Sequence, residues 1–188
     1  LDTGAMYRAV TLHFLNNSIN IKNSSEILKL LNNMNLKIEY ENNNFTILLD
    51  NQVVNKEIRS QSVTNFVSSV SKLPDVRKEM VIMQRSFSNK KDIVVEGRDI
   101  GSHVFPNADY KFFIEANIEV RAKRRYDEMA DSSLITISEI EQQLESRDNL
   151  DSNRSISPLI RAEDAIVIDT TLLSINEQVD KLYNKITK

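Results

Sequence analysis

Residues 93–101 constrain the fold most, because three β-branched residues in the sequence IVVEGRDIG directly precede a cluster of charges and glycines. A short apolar run that ends in this way predicts a buried parallel strand, with functional side chains at its carboxyl end, where open α/β sheets bind ligands. Two of the chain's three glycines, Gly97 and Gly101, lie here, which predicts a tight turn or a close approach to a ligand. The alternative is an ordinary strand-to-turn corner with Arg98 and Asp99 paired on the surface.

From residue 93 onward, apolar strands alternate with helices. The predicted strands are residues 93–95, 110–114 and 165–168, and the predicted helices are residues 118–129, 138–147 and 175–186. Ser138 and Glu141 have the spacing of a capping box. The last helix carries four apolar residues on one face, namely Ile175, Val179, Leu182 and Ile186. This alternation of strands and helices predicts a parallel sheet.

The chain before residue 89 has a different pattern. Helices are predicted over residues 5–15 and 24–31, the second capped by Asn23 with Glu26. Alternation over residues 36–40 and 45–49, around the asparagines at 42–44, predicts a hairpin, with a short third strand at 52–54 and helices at 60–71 and 74–88. We therefore predict a core α/β domain of residues 1–34 and 89–188, interrupted by a smaller inserted lobe of residues 35–88.

Composition argues against several classes of protein. A net charge of −3 and an aromatic content of 6% disfavour a protein that holds a nucleic-acid polymer on a broad basic surface. No apolar run approaches the roughly 18 residues of a membrane span, and the absence of cysteine fits a reducing cytoplasm. Two distant histidines do not predict a metal site. The chain opens at Leu1 with residues that resemble the end of a strand, so we expect an amino-terminally incomplete copy of a longer protein.

Arginine is the most informative residue type, because its planar, permanently charged guanidinium matches phosphate oxygens. The candidates are Arg8, Arg98, Arg121, Arg124, Arg125, Arg147 and Arg154. The spacing of Arg147, Asp151 and Arg154 puts all three on one face of a continuing helix. Each arginine alone fits an exposed ion pair on a solvated helix. Together they favour a phosphate site, with the polar residues 131–138 as the tip of a mobile lid that excludes water.

Three separated motifs resemble those of the bacterial cytidylate kinase family. They are LDTGAMYR at residues 1–8, GRDIG at 97–101 with VFP at 104–106, and RDNLDSNR at 147–154 followed by Pro158 and Leu159. The motifs occur in the family's order and at its spacing, and the likeness covers residues 1–188. It implies an α/β, P-loop NTPase-type parallel sheet flanked by helices, a monophosphate-binding inserted lobe at residues 35–88, and a helical lid at approximately residues 118–157.

The resemblance also implies roles for individual residues. Arg8, Arg98 and Arg154 would hold the phosphate of a CMP or dCMP acceptor, and Ser68, Arg77 and Asp99 would read the cytosine edge. A carboxylate suits that edge because the cytosine amine is a hydrogen-bond donor. Arg147 and Asp151 would meet the sugar hydroxyls, and Thr3 and Tyr7 would line the same pocket. Arg121, Arg124 and Arg125 would act with Arg98 as catalytic residues near the transferred phosphoryl group.

The family's P-loop, Gly-x-x-x-x-Gly-Lys followed by Ser or Thr, does not occur in these residues, since no glycine precedes a lysine. The resemblance implies that this loop belongs before Leu1, where it would bind the phosphates of ATP and serve Mg²⁺. We therefore expect the present stretch alone to hold an acceptor site and a lid without the donor site. We expect it neither to bind ATP tightly nor to turn over.

The resemblance predicts phosphoryl transfer from ATP to CMP or dCMP, giving ADP and CDP or dCDP, by a monomer that binds small molecules. No general base is required, because the acceptor phosphate is already an anion. One alternative is a related kinase that acts on UMP or another small acceptor. Another is a non-catalytic nucleotide-binding or interaction domain, and a nucleic-acid binder is a third, disfavoured by the acidic balance.

Overall fold

The computed structural model describes residues 1–41, 44–89, 92–129 and 135–187. The chain divides into two compact units, Leu1–Gly97 and Arg98–Lys188. Within the described residues, no helix is both long enough and apolar enough to cross a membrane. The asparagines at 42 and 43 of the predicted hairpin turn, and residues 131–134 of the predicted lid tip, lie outside the described residues.

The first unit contains four α-helices: α1 (Thr3–Asn16), α2 (Ser24–Asn33), α3 (Gln61–Val70) and α4 (Pro74–Ser86). The side chain of Asp2 caps α1 by accepting the N–H of Ala5 at 2.8 Å. Asn23 caps α2 in the predicted way, because its side chain accepts the backbone N–H groups of Ser25 and Glu26. Pro74 begins α4, where the missing N–H of proline costs nothing.

A three-stranded antiparallel sheet follows α2 in the order β1 (Leu36–Glu41), β2 (Asn44–Leu49) and β3 (Gln52–Val53). Asp50 and Asn51 join β2 to β3 with φ values of 52° and 66°, the backbone that a two-residue hairpin turn of type I′ requires. The Asp50 carboxylate also lies 3.2 Å from Nδ1 of His13, near the end of α1. The antiparallel pairing of β1 with β2, and of β2 with β3, confirms the predicted hairpin and third strand.

The apolar core of the first unit is built from periodic positions on its helices and strands. The largest fully buried apolar side chains there are Phe14, Met6, Ile47 and Met80. On α3, the buried residues Val63, Val67 and Val70 are spaced by four and then three positions, which is the pattern that burial of one helix face produces. Burying each of these side chains stabilises the fold by roughly 1.5–3 kcal/mol.

The second unit is an α/β arrangement around two parallel strands. β4 (Phe112–Glu115) pairs with β5 (Ile166–Asp169) so that Phe112 lies opposite Ile166. Three helices accompany the strands: α5 (Ile118–Asp127), α6 (Ile137–Ser152) and α7 (Ile175–Ile186). A single π-helical turn, Ile100–Val104, follows Arg98 and Asp99. The buried apolar side chains of the unit's described residues are few, namely Val104, Ala122, Ile140 and Ile168.

The strand predicted at residues 93–95 is wrong. Glu96 forms one isolated parallel bridge with Asp2, and its N–H donates to the carbonyl of Leu1 at 3.0 Å. The side chain of Val94 is 86% exposed. A parallel strand is buried when neighbouring strands and covering helices surround it, and in the described residues this segment pairs only with residues 1–3. Its apolar composition alone does not supply that burial.

One further prediction differs from the structure. The capping box of α6 is formed by Thr136 and Glu139, not by Ser138 and Glu141, because the N-cap of the helix lies two residues earlier than predicted. None of the three glycines has a positive φ. Gly101 instead leaves space for the stem of Lys111, since a Cβ would lie 3.2 Å from Cδ of that lysine.

The predicted apolar face of α7 is present but lies open to solvent. Ile175 is 79% exposed, Val179 57% and Ile186 44%. The helix begins at a second capping box, in which the Ser174 hydroxyl accepts the N–H of Glu177 and the Glu177 carboxylate accepts the N–H of Ser174. Local capping therefore sets where this helix begins.

Replacing Glu139 by glutamine tests the start of α6. The N–H and the hydroxyl of Thr136 donate to the Glu139 carboxylate at 2.7 and 2.8 Å, which lowers the pKa of that carboxyl below its usual 4.5. A lowered carboxyl pKa adds stability above the ordinary value, and this contribution is lost as pH falls through the folded-state pKa. Urea unfolding at neutral pH and at a series of pH values below 4.5 should show a smaller pH-dependent loss for Glu139→Gln than for the unaltered chain.

Glu141→Gln is the matched control, since it removes a carboxyl from the same helical turn but not from the cap. It should leave the pH dependence of the free energy of unfolding nearly unchanged. Equal effects of the two substitutions would contradict this account of the helix start.

Candidate functional site

A cluster of alternating guanidinium and carboxylate groups lies in the second unit, at the end of α6. Its members, called the charged cluster below, are Arg98, Asp99, Arg121, Arg147, Asp148, Asp151 and Arg154. Four guanidinium groups face three carboxylates, so the cluster carries one net positive charge. A site of this composition attracts an anion while each arginine keeps a carboxylate partner.

The spacing of residues along α6 brings the first members together. Arg147 and Asp151 are one helical turn apart, with Nε of Arg147 3.9 Å from a carboxylate oxygen of Asp151. The helix ends at Ser152, so Arg154 lies beyond it and not on the same continuing helix as predicted. Its guanidinium nevertheless reaches Asp151 at 3.3 Å, because the chain turns back after the helix and the N–H of Leu159 donates to the carbonyl of Asp151.

Arg154 is the most deeply buried arginine of the cluster, with a side chain 8% exposed. Besides Asp151, it lies 3.7 Å from the Asp99 carboxylate, and its Nε donates to the carbonyl of Ser157. Ser157 has a φ of 48°, a left-handed backbone that costs a non-glycine residue roughly 1 kcal/mol. Asp99 and Arg154, both predicted from the sequence, therefore meet in a buried ion pair.

Asp148 joins two more arginines and was not among the sequence-predicted site residues. One carboxylate oxygen lies 3.0 Å from Nη1 of Arg98, and the other lies 2.5 Å from Nη1 of Arg121. The signal for this residue was its position three residues before Asp151, which places both carboxylates on one face of a helix.

Burial and the charges around Arg147 act on the pKa of its guanidinium group. Removal from water lowers the pKa of the Arg147 guanidinium, and the neighbouring Arg98 lowers it further. Asp151 and Asp148 oppose this shift. Arginine stays protonated at any ordinary pH, so Arg147 remains a cation, and burial is the main cause of its lowered pKa.

The other two arginines of α5 have different partners. Arg124 donates to the carbonyls of Thr170 at 2.6 Å and Leu173 at 3.2 Å, which fastens α5 to the segment after β5. Arg125 forms an exposed pair with Glu128 at 3.6 Å. Of the three α5 arginines, only Arg121 has a described ion pair with the charged cluster, and the catalytic roles of Arg124 and Arg125 stay predictions.

The predicted residues of the first unit form a second group. Arg77 is 3% exposed, its guanidinium carbon lies 5.5 Å from the ring centroid of Tyr7, and its Nη1 donates to the carbonyl of Ser71. The buried Thr3 donates its hydroxyl to the carbonyl of Glu96 at 2.7 Å. Tyr7 and Arg77 are therefore brought together, in the geometry of a cation–π pair.

Arg8 and Ser68 are the remaining sequence-predicted site residues of the first unit. Arg8 donates through Nη1 to the carbonyl of Ile58 at 3.1 Å and to the hydroxyl of Thr64 at 3.0 Å. Ser68 is half-buried on α3. The contacts of Arg8 fasten α1 to the segment that leads into α3.

Comparison with known proteins identifies the family. The family model described as cytidylate kinase matches residues 1–188. The chain belongs to the cytidylate kinase family. A cytidylate kinase of Oceanobacillus iheyensis is 44% identical over 189 residues, which cover 100% of this chain and 82% of the relative. A cytidylate kinase of Clostridioides difficile is 44% identical over 187 residues, covering 99% of this chain and 85% of the relative.

Membership of the cytidylate kinase family confirms the resemblance that the three motifs carried, and the α/β fold class with it. In the part of the chain that the structure describes, no group of three or more His, Asp or Glu side chains is placed to hold a metal ion.

Replacing Arg154 by methionine tests the centre of the cluster. The change leaves the buried carboxylates of Asp99 and Asp151 without one of their cations, and we expect it to lower the free energy of unfolding by about 3 kcal/mol. Urea denaturation followed by circular dichroism measures this.

Arg125→Met is the matched control, because it removes a guanidinium with a side chain 49% exposed. We expect it to cost less than about 0.5 kcal/mol. A loss of similar size in both variants would mean that the buried pairs add no stability.

Proposed function

We propose that this chain acts in the transfer of the γ-phosphoryl group of ATP to CMP or dCMP, giving ADP and CDP or dCDP. The observation that carries the proposal is the charged cluster, in which four arginines and three aspartates leave a net positive charge beside a buried Asp99–Arg154 pair. The support for cytidine nucleotides is the name cytidylate kinase, which the family and the relatives share.

In this proposal, Arg98 and Arg154 hold the acceptor phosphate. Phosphoryl transfer needs little covalent help from a protein and depends on positioning and on neutralising charge. An oxygen of the acceptor phosphate forms a bond to the γ-phosphorus as the bond to the ADP oxygen breaks. Arg121, tied to Arg98 through Asp148, neutralises charge on the transferred group.

Asp99 reads the base, because its carboxylate accepts the exocyclic amine of cytosine. Uracil carries a carbonyl oxygen at that position, which repels a carboxylate and leaves it without a donor. Arg154 orients Asp99 through their ion pair. Arg147 and Asp151 are assigned to the sugar hydroxyls.

For the first unit, we carry over the remaining roles that the family resemblance implies. Arg77 and Ser68 are assigned to the base and Arg8 to phosphate, while Thr3 and Tyr7 line a nucleotide pocket. The stacking of Arg77 on Tyr7 and its bond to the carbonyl of Ser71 would hold its guanidinium in one orientation.

The donor is proposed to be ATP with Mg²⁺. The net positive charge of the cluster suits phosphate groups, but the described residues offer no set of carboxylates for a metal ion. No step is therefore assigned to a protein-bound metal. The monomeric state and the cytoplasmic location stay predictions.

A calorimetric titration with CMP, UMP and AMP tests the acceptor site. We expect CMP to bind at least about tenfold more tightly than UMP, since one unpaired buried polar group costs about 1–3 kcal/mol. Asp99→Asn should abolish that preference, because an amide can donate to the uracil carbonyl. The exposed Asp180, on α7, supplies the matched control Asp180→Asn.

Equal affinities for the three nucleotides in the unaltered, folded chain would remove the support for cytidine nucleotides. A preference for UMP would favour the related kinase. Because no Gly-Lys pair of a P-loop occurs in these residues, selective CMP binding without CDP formation from added ATP is the expected result. CDP formation, assayed by chromatography, would contradict the expectation that this stretch does not turn over.

A further inference from the structure

Asp148 contacts two arginines that belong to different segments of the second unit. Its Oδ1 accepts from Nη1 of Arg98 at 3.0 Å, just before the π-helical turn, and its Oδ2 accepts from Nη1 of Arg121, on α5, at 2.5 Å. Asp148 itself lies on α6. One carboxylate thus joins three segments of the unit.

Each of the two guanidinium groups is held at a second point. Nε of Arg98 lies 3.4 Å from a carboxylate oxygen of Asp151, and Nε of Arg121 donates to the carbonyl of Ala116 at 3.1 Å. Both arginines therefore use Nε and Nη1 for protein contacts. Among the described residues, neither Nη2 has a hydrogen-bond partner, so the N–H groups of both Nη2 atoms stay available to a ligand.

We propose that Asp148 is a positioning residue that sets Arg98 and Arg121 as a pair for the phosphate groups of the nucleotides. The inference rests on the proposed function, because it assigns those phosphates as the ligand. It concerns a residue to which neither the family resemblance nor the site prediction gave a role. Without Asp148, the guanidinium groups of Arg98 and Arg121 would repel each other, and their remaining N–H donors would no longer share one orientation.

Asp151 does not duplicate this role. Its described ion pairs are with Arg98, Arg147 and Arg154. Among the described residues, Asp148 is the carboxylate that pairs with Arg121. Positioning of Arg121 relative to Arg98 therefore depends on Asp148.

A purely structural role predicts a different result. The three side chains are each about one quarter to one third exposed, and ion pairs of such exposure contribute little to stability. If Asp148 acted only as a counter-charge, Asp148→Asn would strengthen phosphate binding, because removing a negative charge from the site raises its affinity for phosphate. Positioning alone predicts weaker phosphate binding at nearly unchanged stability.

The experiment compares the affinities for CMP and for cytidine, which lacks the phosphate, by calorimetry. The ratio of the two affinities measures the contribution of the phosphate. Asp148→Asn should lower that ratio about tenfold, the size expected when charge-assisted hydrogen bonds are lost, and should leave the cytidine affinity unchanged. Asp148→Glu, which keeps the charge and both oxygens, should recover part of the ratio even if the asparagine variant proves unstable.

Asp127→Asn is the matched control, since Asp127 forms an ion pair with Lys123 on the surface of α5. Its affinity ratio should equal that of the unaltered chain. An unchanged or increased ratio in Asp148→Asn overturns the inference while the proposed function stands. Failure of the unaltered chain to prefer CMP over UMP, or to bind CMP at all, overturns the proposed function and this inference together.

Discussion

The second unit depends most on the ion pairs that the Asp151 carboxylate forms. Three guanidinium groups, those of Arg98, Arg147 and Arg154, lie within 4 Å of it. Removing charged groups from water costs several kcal/mol for each ion unless the partners are well placed. Because few apolar side chains are buried in this unit, its order around α6 depends on the accuracy of these pairs to an unusual degree.

The first unit is stabilised by apolar packing instead. Its helices and antiparallel sheet bury a continuous set of aliphatic and aromatic side chains, and a charged side chain buried there contacts an aromatic ring and a backbone carbonyl. Arg77 illustrates this, with the Tyr7 ring beneath its guanidinium and the carbonyl of Ser71 as an acceptor. A hydrocarbon core tolerates exchange of side chains of similar volume, whereas the ion-pair network of the second unit depends on exact geometry.

Periodicity predicted the elements that local burial determines, including the seven helices and the hairpin of β1 and β2. It failed at residues 93–95, because burial of a parallel strand depends on distant neighbours that no local pattern records. At the site, the motifs named Arg98, Asp99, Arg147, Asp151 and Arg154, which the structure brings together in the charged cluster, while their roles stay predictions. They did not indicate that Asp148 links Arg98 to Arg121, or that Arg124 donates to backbone carbonyls, because side-chain partners across segments follow from tertiary structure.

Interleaving carboxylates with arginines gives the cluster two properties at once. Each aspartate keeps neighbouring guanidinium groups from repelling one another, so the cations are ordered before any ligand arrives and little reorganisation is required on binding. Four guanidinium groups against three carboxylates nevertheless leave the cluster with one excess positive charge. In the proposed function, a dianionic phosphate would offset that excess and meet donors whose orientation the aspartates already set. The same network would then serve both to order the unit and to receive the acceptor phosphate.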